Sequence, residues 1–200
     1  MPARVGLTYR DYAALPDDGK RYELHRGELS VTPAPGTRHQ SAVVRFIVRI
    51  DEHVRSRGLG KVFVAPTDCI LSNTTVVQPD VLYVARDRLT MISERGIEGP
   101  PTLVIEILSP STVQTDRDRK LRLYAEHGVL HYWIADPESR SVEGYTLADG
   151  VYVPAGRITS ARGLASILRT PLGSCRSLVL THAASRSFLP DVDVGVNCSA

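Results

Sequence analysis

Between Thr37 and Gly58 the apolar positions Val43, Phe46, Ile50 and Val54 recur at three- and four-residue intervals among charged residues, which predicts one amphipathic helix. Pro35-Gly36 breaks the chain before it, Thr37 and Gln40 have capping-box spacing, and Gly58 ends it. Past Gly60 the period shortens. Residues 61–71 (KVFVAPTDCIL), 75–85 (TVVQPDVLYVA) and 101–109 (PTLVIEILS) read as three strands separated by polar or Gly/Pro stretches. A second helix, of about three turns, opens at Thr115 and ends at Gly128, with Leu121, Tyr124 and Ala125 for its buried side. VLHYWIA then resumes the sheet, Asp136-Pro137 turns the chain into SVEGYTL, and Asp149-Gly150 is a two-residue hairpin turn into VYV. Upstream, Thr8 caps a short helix from Tyr9 to Leu15, and RYELHRGELSV forms a small hairpin around His25-Arg26-Gly27. This order of elements predicts an α+β fold with a mixed sheet.

At 200 residues, 42% hydrophobic and 23% charged, the chain has the composition of one compact core and not of a disordered segment or a coiled coil. No apolar stretch approaches the roughly 18 to 20 residues of a membrane span, and the N-terminal segment lacks the apolar centre of a signal peptide, so a cytoplasmic location is expected. Cys69, Cys175 and Cys198 are odd in number and scattered, which supports neither a disulfide framework nor a zinc ribbon. A net charge of +2 does not announce a nucleic-acid binder and leaves partners open. The only lysines are Lys20, Lys61 and Lys120, so a lysine near candidate chemistry carries information. Beyond Pro154 the pattern weakens, leaving residues 154–200 as an extension, either an added strand around SLVL (177–180) or partly disordered.

Two carboxylates interrupt apolar runs. Glu106 sits inside Leu103 to Leu108, where an ionised group needs a partner, a metal or a solvent-facing strand end, because desolvating it costs several kcal/mol. Asp80 follows Pro79, which cannot donate to a ladder, and precedes Val81 to Val84. If the two strands place these groups on one face, the pair offers hard oxygen ligands for Mg²⁺; an ordinary turn aspartate and a salt-bridged glutamate are the alternative.

Pro79-Asp80, 25 intervening residues and then Glu106-Ile107-Leu108 resemble the PD-(D/E)XK nuclease signature, with Leu108 at the usual lysine position. The wider string is more specific: RYELHRGEL, PAPGTRHQ, QPDVLYV, LVIEILSPST, Asp116 to Lys120 as D-x-x-x-K, Tyr124, HGV and YWIADP. It resembles the Uma-type restriction-endonuclease-like proteins, a bacterial family. The resemblance implies a restriction-endonuclease-like core over residues 8–153, with a mixed central sheet flanked by helices in the order αβββαβ. It further implies a Mg²⁺- or Mn²⁺-dependent DNA endonuclease. Asp80, Glu106 and the main-chain carbonyl of Ile107 would hold the metal, and Lys120, supplied from the helix after the strand, would complete the catalytic set.

Asp116, Lys120 and Tyr124 fall at i, i+4 and i+8, one face of an α-helix, although a plain surface Asp-Lys pair worth ~0.3 to 0.5 kcal/mol explains the first two equally. His39 shares the inward register of Val43, Phe46 and Ile50, as an active-site or a buried core histidine. Glu23 and Glu28 match acidic positions of the family, where one would be a further carboxylate or each a strand-surface residue. Arg117, Arg119 and Arg122 beside Lys120 are candidate contacts to DNA phosphates or parts of a solvated helix face. A homodimer would suit a duplex-cutting enzyme with one site per subunit. The alternative function is a catalytically inactive DNA-binding or protein-interaction domain that retains the architecture. An aliphatic replacement, Lys120→Met, is expected to leave folding nearly intact.

Overall fold

The computed structural model describes residues 6–109 and 115–159, with side chains from residue 117 onward in the second stretch. The short helix α1 (Tyr9–Ala13) begins as expected, with the Thr8 amide and hydroxyl both donating to Asp11 Oδ2 at 2.8 and 2.7 Å. The hairpin follows as β1 (Arg21–His25) and β2 (Glu28–Thr32), turning through Arg26 and Gly27 at φ of 53° and 83°. Gly27 is required twice over, since it has a left-handed backbone and an added Cβ would stand 2.8 Å from Gly6 Cα.

The long helix α2 (Thr37–Ser56) buries His39, Phe46, Ile50 and Val54, the predicted face. Its cap differs from expectation: Gly36 occupies the N-cap, with no side-chain cap bond, so Thr37 is already the first helical residue. Gly36 carbonyl oxygen accepts from the Gln40 amide at 3.1 Å.

Two of the three predicted strands are each divided. Residues 61–71 split into β3 (Gly60–Val64) and β4 (Cys69–Ser72), and residues 75–85 into β5 (Thr75–Val77) and β6 (Val81–Ala85). The breaks fall at Pro66 and Pro79, residues without an amide donor for the ladder. A 3₁₀ turn (Arg86–Met91) leads into β7 (Ile92–Ser93) and β8 (Gly96–Glu98), which the period did not reveal, and then into β9 (Leu103–Ile107). The second helix starts as a π turn over Thr115–Lys120 and continues as α3 (Leu121–Glu126). A meander of β10 (His131–Asp136), β11 (Ser141–Ala148) and β12 (Val151–Ile158) completes the described chain. Its last strand runs across residues 153 and 154, and SLVL lies outside the described residues.

The strands form two mixed sheets. The central one has the order β12-β11-β10-β9-β6-β3, with β9 and β10 parallel and the other pairs antiparallel. The accessory one has the order β2-β1-β5-β4-β8-β7. The α+β class holds, with the dividing prolines producing a second sheet. One face of the central sheet packs on α2 through Val81, Tyr83, Leu103, Ile105, Ile107 and Trp133 against Phe46, Ile50 and Val54. The opposite face gathers Leu82, Val84, Val104, Leu108, Tyr132 and Ile134 with Leu123 and Tyr124 of α3 and Cys69, Val77 and Ile97 of the accessory sheet. Among the described residues no helix is long and apolar enough to cross a membrane.

Candidate active site

Strand alternation sends Ile105 and Ile107 toward α2, and Val104, Glu106 and Leu108 toward α3 and the accessory sheet. Glu106 is therefore a carboxylate in an apolar wall, 2% exposed. Its partners come from the second helix: the Tyr124 hydroxyl donates to Glu106 Oε1 at 2.6 Å, and Lys120 Nζ lies 2.9 Å from the same oxygen. Burial first, then the Glu106 charge, pushes the Tyr124 hydroxyl well above its ordinary range, so it stays a donor. Leu108 fills the second core, which is why the strand itself supplies no cation.

The predicted helix opens as a π turn, whose hydrogen bonds reach five residues instead of four. Lys120, the last residue of that turn, and Tyr124 of α3 converge on Glu106. The Asp116 side chain lies outside the described residues. Leu123 takes the core position expected of Leu121 and Ala125, which are half-buried.

Asp80 closes the bend at Gln78-Pro79. The β6–β9 register pairs Val81 with Ile105, so Asp80 comes one step beyond, toward Glu106. Its Oδ2 accepts from the Ile107 amide at 2.9 Å and lies 3.0 Å from His39 Nε2. Asp80 and Glu106 thus act on consecutive residues of one strand, from the end of β6 and from within β9. His39 reaches this place because it occupies the first turn of α2 on the buried face.

Glu23 joins from β1. Its Oε1 accepts from the Gln78 amide at 2.8 Å and stands 3.9 Å from Lys120 Nζ, while Oε2 is 3.1 Å from His25 Nε2. Burial pushes this carboxyl up, but the Lys120 ammonium, His25 and the Gln78 amide outweigh it and bring it down to about 2. Gln78 is itself tied by its side-chain amide to Asp68 Oδ1 at 2.9 Å and by its carbonyl oxygen to Arg21 at 2.8 Å. Sequence reasoning missed His25 and Gln78. The i, i+2 spacing of Glu23 and His25 was the available signal, since it places both on one strand face.

The remaining candidates separate from the cluster. Glu28 is exposed and lies 3.6 Å from Arg119. Arg117 is held by Glu143 through two bonds of 2.9 and 3.1 Å, whereas Arg119 and Arg122 stay exposed. Lys120 is 7% exposed and closes on two buried carboxylates, so the expectation that Lys120→Met leaves folding intact is corrected: the change would strand Glu106 and Glu23.

Three carboxylates are buried here, Glu23 and Glu106 against Lys120 and Asp80 on the Ile107 amide beside them. That surplus of buried negative oxygen suits a hard divalent cation. Among the described residues no three His, Cys, Asp or Glu side chains form a ready metal cage. An ion such as Mg²⁺, which accepts one or two carboxylates and keeps several waters, would suit such oxygens.

The family described as "Uma2: Putative restriction endonuclease" matches residues 9–170. Among solved structures, a protein from Anabaena variabilis ATCC 29413, described as a "putative nuclease belonging to DUF820", superposes with a TM-score of 0.60 at 22% identity, covering 70% of this chain and 79% of that one. That likeness concerns the fold. No curated protein matches the chain.

Proposed function

The chain belongs to the Uma2 family, and on that premise we propose that it is a metal-dependent endonuclease that hydrolyses phosphodiester bonds of DNA. The observation that carries the reading is the pairing of a strand carboxylate with a helix lysine: Glu106 Oε1 and Lys120 Nζ are 2.9 Å apart in a nearly closed site, beside an Asp80 fixed on the next residue's amide. A structural ion pair alone would not explain two further buried carboxylates at the same place.

In this reading Asp80, Glu106 and the main-chain carbonyl of Ile107 hold Mg²⁺ or Mn²⁺. The chemistry such an ion supplies is charge neutralisation on the phosphate and a more acidic bound water. His39 and the Ile107 amide fix the Asp80 carboxylate, Tyr124 fixes Glu106, and Glu23 with Glu106 holds the Lys120 ammonium in place. A compact ammonium there would offset charge developing on a phosphate oxygen.

The test is cleavage of supercoiled plasmid with Mg²⁺ or Mn²⁺ and an EDTA control. Wild type should nick or linearise it, and Glu106→Gln should lower the rate by roughly 10²-fold or more, the loss typical of a removed transition-state contact or metal ligand. DNA binding without cleavage by wild type would reassign the protein as a non-catalytic binding domain.

A further inference from the structure

A cavity of about 590 Å³ opens between the β1–β2 turn and the helix that carries Lys120. His25, Arg26 and Glu28 line it from the hairpin, and Asp118, Arg119 and Arg122 from the helix. Neither Asp80 nor Glu106 lines it. The link to the buried cluster is His25: it is 3.1 Å from Glu23, which is 3.9 Å from Lys120.

Three guanidinium groups face two carboxylates in these walls, and the existing pairs are weak. Arg119 lies 3.6 Å from Glu28, with side chains 46% and 73% exposed, and Arg26 pairs with an exposed Glu126. Exposed pairs of this kind contribute ~0 to 1 kcal/mol, so an incoming anion displaces the carboxylate at little cost. Arg122 has no ion-pair partner among the described residues. A guanidinium fork matches phosphate oxygens in a way that an ammonium does not. His25, which lines the cavity, also carries a buried Nδ1 without a hydrogen-bond partner among the described residues.

We propose that this cavity is a subsite for a backbone phosphate of the nucleic-acid strand, gripped by Arg119 and Arg122, with Arg26 on the opposite rim and His25 as its inner wall. The inference rests on the nuclease reading and extends it, placing a second phosphate one carboxylate away from Lys120. It also divides the three helix arginines, since Arg117 is consumed by Glu143 and contributes no grip.

The experiment is fluorescence anisotropy of a labelled DNA duplex of about twelve base pairs in EDTA, across a salt series. Each phosphate contact contributes about 0.9 to the slope of log affinity against log salt, so Arg119→Ala/Arg122→Ala should flatten it by about 2. Glu28→Gln, which releases Arg119, should tighten binding. Arg95→Ala, in the exposed pair with Glu98, should change neither. An unchanged slope in the double variant, or no wild-type binding at low salt, overturns the subsite. Plasmid cleavage run in parallel separates the two readings. Cleavage with an unchanged slope removes the subsite alone, and a flattened slope without wild-type cleavage removes the catalytic reading alone.

Discussion

The two faces of β9 are built from one run of five buried residues, yet they are held by different physics. Leu103, Ile105 and Ile107 meet Phe46, Ile50 and Val54 of α2, where burial is non-directional and scales with apolar area. On the other face Glu106 stands between Val104 and Leu108, and it is tolerable only with Tyr124 and Lys120 in place. The apolar face accepts substitutions that conserve volume. The polar face is a connected network in which removing one member strands the others.

The sharpest way to break this comparison is Lys120→Met, which keeps the stem and deletes the charge. It should cost about 3 to 5 kcal/mol in urea denaturation, because Glu106 and Glu23 are left buried without their cation. Combining it with Glu106→Leu should recover part of the loss, since an apolar pair leaves fewer stranded charges. A loss below about 1 kcal/mol in the single variant would mean that both faces are held by packing alone.

Acid should reveal the same network. The Glu23 carboxyl is lowered in the folded state from 4.5 to about 2, so its contribution is fully present above about pH 4.5 and is lost as the pH falls toward 2. The expected loss is on the order of 2 kcal/mol between about pH 7 and about pH 3, read by denaturation at both. Glu23→Gln should flatten that interval, and a profile unchanged by the substitution would remove Glu23 from the network.

These contrasts also show what the sequence could carry. The hairpin, α2 and the β10–β12 meander were legible because turn residues and period are local properties. The division of residues 61–71 and 75–85 was not, because an apolar run reads the same whether it serves one sheet or two; Pro66 and Pro79 were the only marks of the breaks. Asp80 and Glu106 stood out as carboxylates in apolar runs and Lys120 came from the family string; the structure places Asp80 just before β6, on the Ile107 amide, and Glu106 and Lys120 on the face of β9 that α3 covers. Gln78 depends on the accessory sheet closing on the bend, a long-range event without a local signature, whereas the strand spacing of Glu23 and His25 was visible in the sequence. The π turn that opens the second helix is silent in the sequence.

On the α2 side, Ile105→Val should cost only about 0.5 to 1.5 kcal/mol, the loss of one buried methylene. Plasmid cleavage and the affinity for Mg²⁺, measured by calorimetry, should stay at wild-type values. A loss of metal affinity in this variant would show that the two faces are mechanically coupled through the strand.

The smallest effect is expected at Arg117. Its guanidinium makes two bonds to Glu143, with side chains 35% and 16% exposed. That contact holds the Glu143 carboxyl below its ordinary value, with Tyr145 and Arg157 contributing further. Arg117→Ala leaves Glu143 with the Tyr145 hydroxyl at 3.0 Å and Arg157 at 3.9 Å, so no charge is stranded as it is in Lys120→Met. The stability cost should therefore be about 0.2 to 1 kcal/mol by thermal unfolding. The salt slope of DNA binding should match wild type, because this arginine is already occupied by β11 and does not line the cavity. A slope flattened as much as in Arg122→Ala would show that the helix binds phosphate along its whole exposed side, and the distinction between a built subsite and a general basic surface would fall.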